Sequence, residues 1–171
     1  MTLFDIICHY DSFYPLFCGK KGGFMDSYEI NKDTCAIISV EKNISRVLEN
    51  NNEYYVNMPS YEIMDNSCQY YGSSCEGRIK GTKMILGSSY KVPIVVEEKN
   101  DIIFFPTESP NSDSCCWLSL NQIEKYENCN GYTKVFFNNG KDIVVKMSVS
   151  SFESQILRAN RLESLLKKRV S

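Results

Sequence analysis

The stretch TKVFFNNGKDIVVKM, residues 133–147, leaves the chain few choices. Two runs of β-branched and aromatic residues flank Asn139-Gly140, and that pair favours a type I′ hairpin turn because both residues tolerate positive φ. The pattern of short strands and turn residues extends through most of the chain. YEIN and TCAIISV read as paired strands around Lys32-Asp33, and EYYVNM reads as a strand closed by Pro59. KVPIVVEE and DIIFFP flank Lys99-Asn100 as an antiparallel hairpin, while WLSLNQIEKYE passes from a strand into a short helix. The chain closes with SVSSFESQILRANRLESLLKKRVS, where Ser150 and Glu153 have the spacing of a capping box. At 3.6 residues per turn, Phe152, Ile156, Ala159 and Leu166 share one side of that helix. Arg158, Arg161, Lys168 and Arg169 gather on another, as a solvated surface or a binding face. The expected architecture is α+β: mostly antiparallel β-sheet with short helices and a C-terminal amphipathic helix.

Composition narrows the function classes. A chain of 171 residues makes one domain with a proper core. No stretch approaches the roughly 20 apolar residues of a membrane span. The formal net charge of −2 means that any polyanion site must come from local clustering. Eight cysteines invite a metal or disulfide reading, but no C-x-x-C pair occurs and the single histidine is His9. Reduced, mostly buried thiols in a cytosolic protein fit better, with no metal and no cofactor. Nucleophilic catalysis lacks a base, and neither a dinucleotide nor a P-loop glycine pattern is present. Glu97, Glu98, Asp101, Glu108 and Asp113 fall at predicted turns, where carboxylates keep loops solvated. No catalytic residue is expected, so the chain does not read as an enzyme. Fifteen asparagines against two alanines track AT-rich codons, which points to an AT-rich bacterial genome.

Residues 1–24 stand apart. Asp5 and Asp11 interrupt what would have to be the apolar core of a signal peptide. Lys20 to Met25 back-translate to a purine-rich sequence, AGGAGG, just upstream of an ATG. This segment is expected to be an untranslated leader read as protein, with Met25 the true start, or else a disordered or packed extension. Residues 25–171 are then the single domain.

SCQYYGSSCEGRIKGTK, residues 67–83, is the stretch least like core or linker. Arg78, Lys80 and Lys83 follow two tyrosines and two serines. In an extended segment Arg78 and Lys80 face the same way, with Ile79 opposite. Gly72, Gly77 and Gly81 permit turns and close backbone approach. Ser73 and Ser74 can donate to phosphate oxygens. The segment reads as a charged hairpin with glycine turns, or as a surface for polyanions.

The order of these pieces carries a resemblance. SYEIN, YYVNM, SCQYYGSSCEGRIKGTK, KVPIVV, DIIFFPTESP, CWLS, VFFNNGK and SFESQILRANRL together resemble the competence transcription factor (ComK) family, from about Ser27 to about Leu162. The resemblance implies a cytoplasmic bacterial regulator that binds AT-rich double-stranded DNA through the minor groove and activates genes for DNA uptake. It also implies self-association as dimer or tetramer on two boxes, and a proteolytic adaptor and RNA polymerase as partners. No membrane is involved. Charge and turn chemistry, rather than the resemblance, nominate the DNA-binding residues. Arg78 is expected to enter the groove, supported by Lys80 and Lys83. Ser73 and Ser74 would hold phosphates, and Arg158 and Arg161 would contact the backbone or a partner subunit. Longer relatives continue past the terminal helix, which keeps an alternative open: a shortened, non-DNA-binding relative that regulates a full-length activator or its adaptor.

Overall fold

The structure is a computed structural model describing residues 24–88 and 90–170. All but the last residue of the segment read as a leader lies outside the described residues. The strands are β1 Phe24–Met25, β2 Thr34–Glu41, β3 Ile44–Glu49, β4 Glu53–Val56, β5 Ile94–Glu97, β6 Ile102–Pro106, β7 Trp117–Ser119, β8 Ile123–Cys129, β9 Tyr132–Phe137 and β10 Asp142–Val145. Helices α1 Ser60–Tyr70 and α2 Cys75–Leu86 lie between β4 and β5, and α3 Val149–Val170 follows β10. The α+β architecture with a C-terminal helix is therefore as the sequence suggests.

Seven strands form one sheet in the order β1-β4-β3-β2-β7-β6-β5, and β10-β9-β8 form a second. Every pairing is antiparallel except the short β1–β4 contact. Successive side chains of a strand point to opposite faces, and in the large sheet both faces are covered. Ile37, Val47, Ile94, Phe104 and Trp117 pack with Ile63, Met64, Cys68 and Cys75 of α1 and α2. Their strand neighbours Ala36, Leu48, Val95, Phe105 and Leu118 meet Val135 and Phe137 of the small sheet and Phe152, Ala159 and Leu162 of α3. The large sheet is thus a middle layer. That explains why IVVE and IIFFP are buried at every position instead of alternating.

Several local expectations need correction. Residues 75–83 are helical, not extended, because α1 and α2 must close one face of the middle sheet. The partner of β2 is β3, across Lys42-Asn43, rather than residues 28–31. Tyr28 and Ile30 are instead tied by side chains: Tyr28 Oη donates to Glu49 Oε1, and Ser67 Oγ accepts from the Ile30 amide at 3.0 Å. Residues 123–129 form strand β8, with only a 3₁₀ turn at Leu120–Gln122 where a short helix is expected.

The 133–147 hairpin forms, but its turn is not type I′. Gly140 has φ 83 while Asn139 does not have a positive φ. The Gly140 amide donates to Phe137 O at 2.9 Å, and the Phe137 amide donates to Lys141 O at 2.9 Å. The two-residue turn with both φ positive belongs to Asn130-Gly131, between β8 and β9. Glu97 does not solvate a loop: it is buried, and its carboxylate accepts from the Lys99 and Asn100 amides to shape the β5–β6 turn. At the start of α3 it is Ser148 Oγ, not Ser150, that accepts from an amide, that of Ser151 at 3.2 Å.

Candidate nucleic-acid interface

The segment that carries most of the nominated residues is built as a helical hairpin. Cys75, Ile79, Thr82 and Leu86 recur at intervals of four, three and four, so one side of α2 meets the core. Ser74 is extended, and its Oγ accepts from the Gly77 amide at 3.0 Å, capping the helix. Asp65 of α1 accepts from the Cys75 amide at 2.8 Å. A β-carbon at Gly77 would stand 3.1 Å from Ser74 Oγ, so glycine there leaves room for the cap. Gly87, at φ 64, closes α2 by donating to Lys83 O.

This geometry separates the nominated residues. Two positions apart on a helix means about 200° of rotation, so Arg78 and Lys80 point away from each other. Arg78 turns toward the β5–β6 hairpin, where Nη1 donates to Glu98 Oε1 at 2.8 Å; its Nε is buried with no hydrogen-bond partner. Lys80 pairs with Glu76 at 2.8 Å on the exposed side, and this pairing holds the Glu76 carboxyl below its usual range. Ser74 is occupied as the cap, and Ser73 donates its amide to Cys68 O at 2.9 Å. Arg158 of α3 donates from Nη1 to Tyr90 O at 2.7 Å, while Arg161 is exposed.

Lys83 faces a cleft of about 370 Å³ that is also lined by Tyr61, Tyr90, Lys91 and Asn111. A second cleft of about 200 Å³, lined by Lys42, Ser60 and Asp113, adjoins it through Tyr61, Pro110 and Asn111. The N-terminus of α1 opens here, with Pro59 at the cap position and no side chain capping it. Helix N-termini carry partial positive charge, which adds to that of the lysines.

The position of Lys91 is set by α3. Gln155 Nε2 donates to Lys91 O at 2.9 Å and to Pro106 O at 2.7 Å. Lys91 has φ 45, and its Nζ lies 5.0 Å from the centre of the Tyr90 ring. Arg158, by holding Tyr90 O, fixes the same segment. So Lys83 and Arg158 meet through Tyr90, whereas Arg78 stands apart. Lys42, Tyr61, Tyr90 and Lys91 were not among the nominated residues. Only the adjacent aromatic and cation in Tyr90-Lys91 left a signal in the sequence.

Among the described residues no group of three or more His, Cys, Asp or Glu is placed to hold a metal ion. No helix among them is long and apolar enough to cross a membrane. What the surface offers is two adjoining clefts that carry Lys42, Lys83, Lys91, Tyr61 and Tyr90, with Glu76 and Asp113 also on their walls, on a three-layer α+β scaffold. The family model described as ComK protein matches residues 25–171, and the chain belongs to that family of transcription factors. It is 35% identical over 155 residues to the competence transcription factor of Bacillus subtilis (strain 168), covering 88% of this chain and 81% of that one. No solved structure matches the chain significantly.

Proposed function

We propose that the protein is a sequence-specific DNA-binding activator that reads AT-rich boxes through the minor groove and switches on genes for DNA uptake in the cytoplasm. The observation that carries this reading is that two adjoining clefts, joined through Tyr61, carry Lys42, Lys83 and Lys91 together with Tyr90, against Glu76 and Asp113. Cations neutralise phosphates and release counterions, which supplies most sequence-independent affinity. Narrow A-tract grooves have enhanced negative potential and reward an inserted cation. Lys83 takes that part, with Lys42 and Lys91 on phosphates and Lys80 and Arg161 flanking. Arg78 joins only by leaving Glu98. The minor groove separates A·T from G·C and little else. Two boxes read jointly by a dimer or tetramer would add the discrimination one box lacks. An adaptor and RNA polymerase complete the set of partners, and residues 25–171 are the functional unit.

The test is a titration of a labelled two-box duplex at several salt concentrations. Lys83→Ala and Lys42→Ala should each weaken binding and lower the slope of log affinity against log salt by about 1. Unchanged slopes would remove the clefts from the site. A second reading, a non-DNA-binding regulator of a full-length activator, draws support from the neutralisation of Arg78 and Lys80 by Glu98 and Glu76. It predicts that the purified protein retards no duplex yet captures a full-length family member.

A further inference from the structure

Two consecutive residues in the wall of the larger cleft, Tyr90 and Lys91, have their carbonyls tied to α3. Arg158 Nη1 donates to the first at 2.7 Å and Gln155 Nε2 to the second at 2.9 Å. Residues 155 and 158 are three apart, which puts them on one face of the helix. Gln155 is only 2% exposed, and its Nε2 also donates to Pro106 O at 2.7 Å. Its Oε1 is buried without a hydrogen-bond partner among the described residues. The amide therefore forgoes an acceptor bond, at a desolvation cost, while Nε2 reaches two carbonyls. Lys91 needs such a hold. Its φ of 45 lies in the left-handed region, which a non-glycine residue keeps only when its surroundings enforce it. On the other side of the clamped carbonyl, Val92 is 2% exposed.

We propose that Gln155 and Arg158 are positioning residues of the nucleic-acid interface: they clamp the Tyr90-Lys91 backbone and so set where the Lys91 ammonium meets a phosphate. The inference rests on the DNA-binding reading above and extends it to two side chains of α3 that act through others. Gln155 is buried and carries no charge, so it cannot neutralise a phosphate itself. Its part is visible only through Lys91. Without the clamp, Lys91 relaxes toward negative φ, where a side chain with a β-carbon is unstrained. That change redirects both carbonyls and takes the ammonium away from the wall it shares with Lys83. Arg158, expected from charge alone to contact the DNA backbone or a partner subunit, is engaged by Tyr90 O instead. The terminal helix thus contributes to binding through the loop it holds.

The experiment measures the salt dependence of duplex binding for the full chain, Lys91→Ala, Gln155→Leu and the double variant, each checked for folding by circular dichroism. Lys91→Ala should lower the slope of log affinity against log salt by about 1. Gln155→Leu should lower it equally although no charge is removed, and the double variant should fall no further. A merely structural role would reduce the fraction of active protein and leave the slope in place. An unchanged slope in Gln155→Leu, or slopes that add in the double variant, would overturn the proposal. A second arm needs no DNA. Trypsin cuts after lysine where the chain can open into an extended form, so the Lys91–Val92 bond should resist it in the unmutated chain. The bond should be cut early in Gln155→Leu and in Arg158→Ala, whose half-buried side chain lies outside both core clusters, so the test survives if Gln155→Leu does not fold. Equal resistance in the variants and the unmutated chain would overturn the clamp. If the unmutated chain binds no duplex while the variants open this bond, the DNA-binding reading fails and the clamp stands.

Discussion

Arg78 Nη1 lies 2.8 Å from Glu98 Oε1, which ties the first turn of α2 to the β5–β6 turn. The pair is partly exposed, with Arg78 at 21% and Glu98 at 69%, so solvent screens it. Arg78→Ala should lower the unfolding free energy by about 0.5–1 kcal/mol in urea titration, from the lost pair and the lost packing of the aliphatic stem. Its effect on duplex affinity should be smaller than that of Lys83→Ala. If Arg78→Ala abolished binding while stability held, Arg78 would be the groove reader after all.

Gly77 and Gly81 lie one turn apart in α2 and make opposite predictions. Nothing stands within 4 Å of a β-carbon added at Gly81, so Gly81→Ala should stabilise by about 0.5–1 kcal/mol through helix propensity alone. Gly77→Ala places its methyl 3.1 Å from the capping Ser74 Oγ and should gain nothing or lose. Ser74→Ala should cost about 1 kcal/mol through loss of the cap. Thermal or urea unfolding of the three variants separates these outcomes.

The two Asn-Gly turns should also respond differently. Asn130 and Gly131 both have positive φ, at 52 and 87, whereas at the second turn only Gly140 does, at 83. Alanine at Gly131 or Gly140 should therefore destabilise by about 1–2 kcal/mol. Asn130→Gly should be neutral or stabilising, since glycine adopts that conformation without steric cost. Asn139→Gly should destabilise, because the Asn139 side chain donates to Glu49 O and Asn50 O and so docks the small sheet on the β3–β4 turn.

Stability should fall in alkali. Burial pushes the Cys35 thiol up to about 11 and the Cys115 thiol up to about 12, from an ordinary 9.0. Burial likewise pushes the Tyr61 phenol up to about 12 from 10.0. Above the ordinary values the unfolded chain has released these protons while the folded chain keeps them, so unfolding is favoured as pH rises. The contribution is whole below about pH 9 and is lost progressively toward about pH 12. Urea midpoints measured across that range should decline, and Cys115→Ala should flatten the decline.

The strands of the middle and small sheets were largely legible because β-branched runs bounded by turn residues need no tertiary information. The α1–α2 hairpin was not. Gly72, Gly77 and Gly81 weaken local helix propensity, and Arg78 and Lys80 look like one face only if the segment is extended. The signal that could have found α2 was the spacing of Cys75, Ile79, Thr82 and Leu86, together with Ser74 before and Gly87 after. What holds the helix is the uncovered face of the middle sheet, which no local window contains. Lys42 was invisible for the same reason, and Lys91 showed only as a cation next to Tyr90: the loops that carry them are brought together only by the packed layers.

The most direct test of the proposed activity is a mobility-shift comparison between a duplex with two A/T boxes and the same duplex with those boxes replaced by G·C, at moderate salt. The account predicts binding about tenfold or more tighter to the A/T duplex, with the preference reduced in Lys83→Ala. Equal affinity for both duplexes, or no retardation of either, would contradict it.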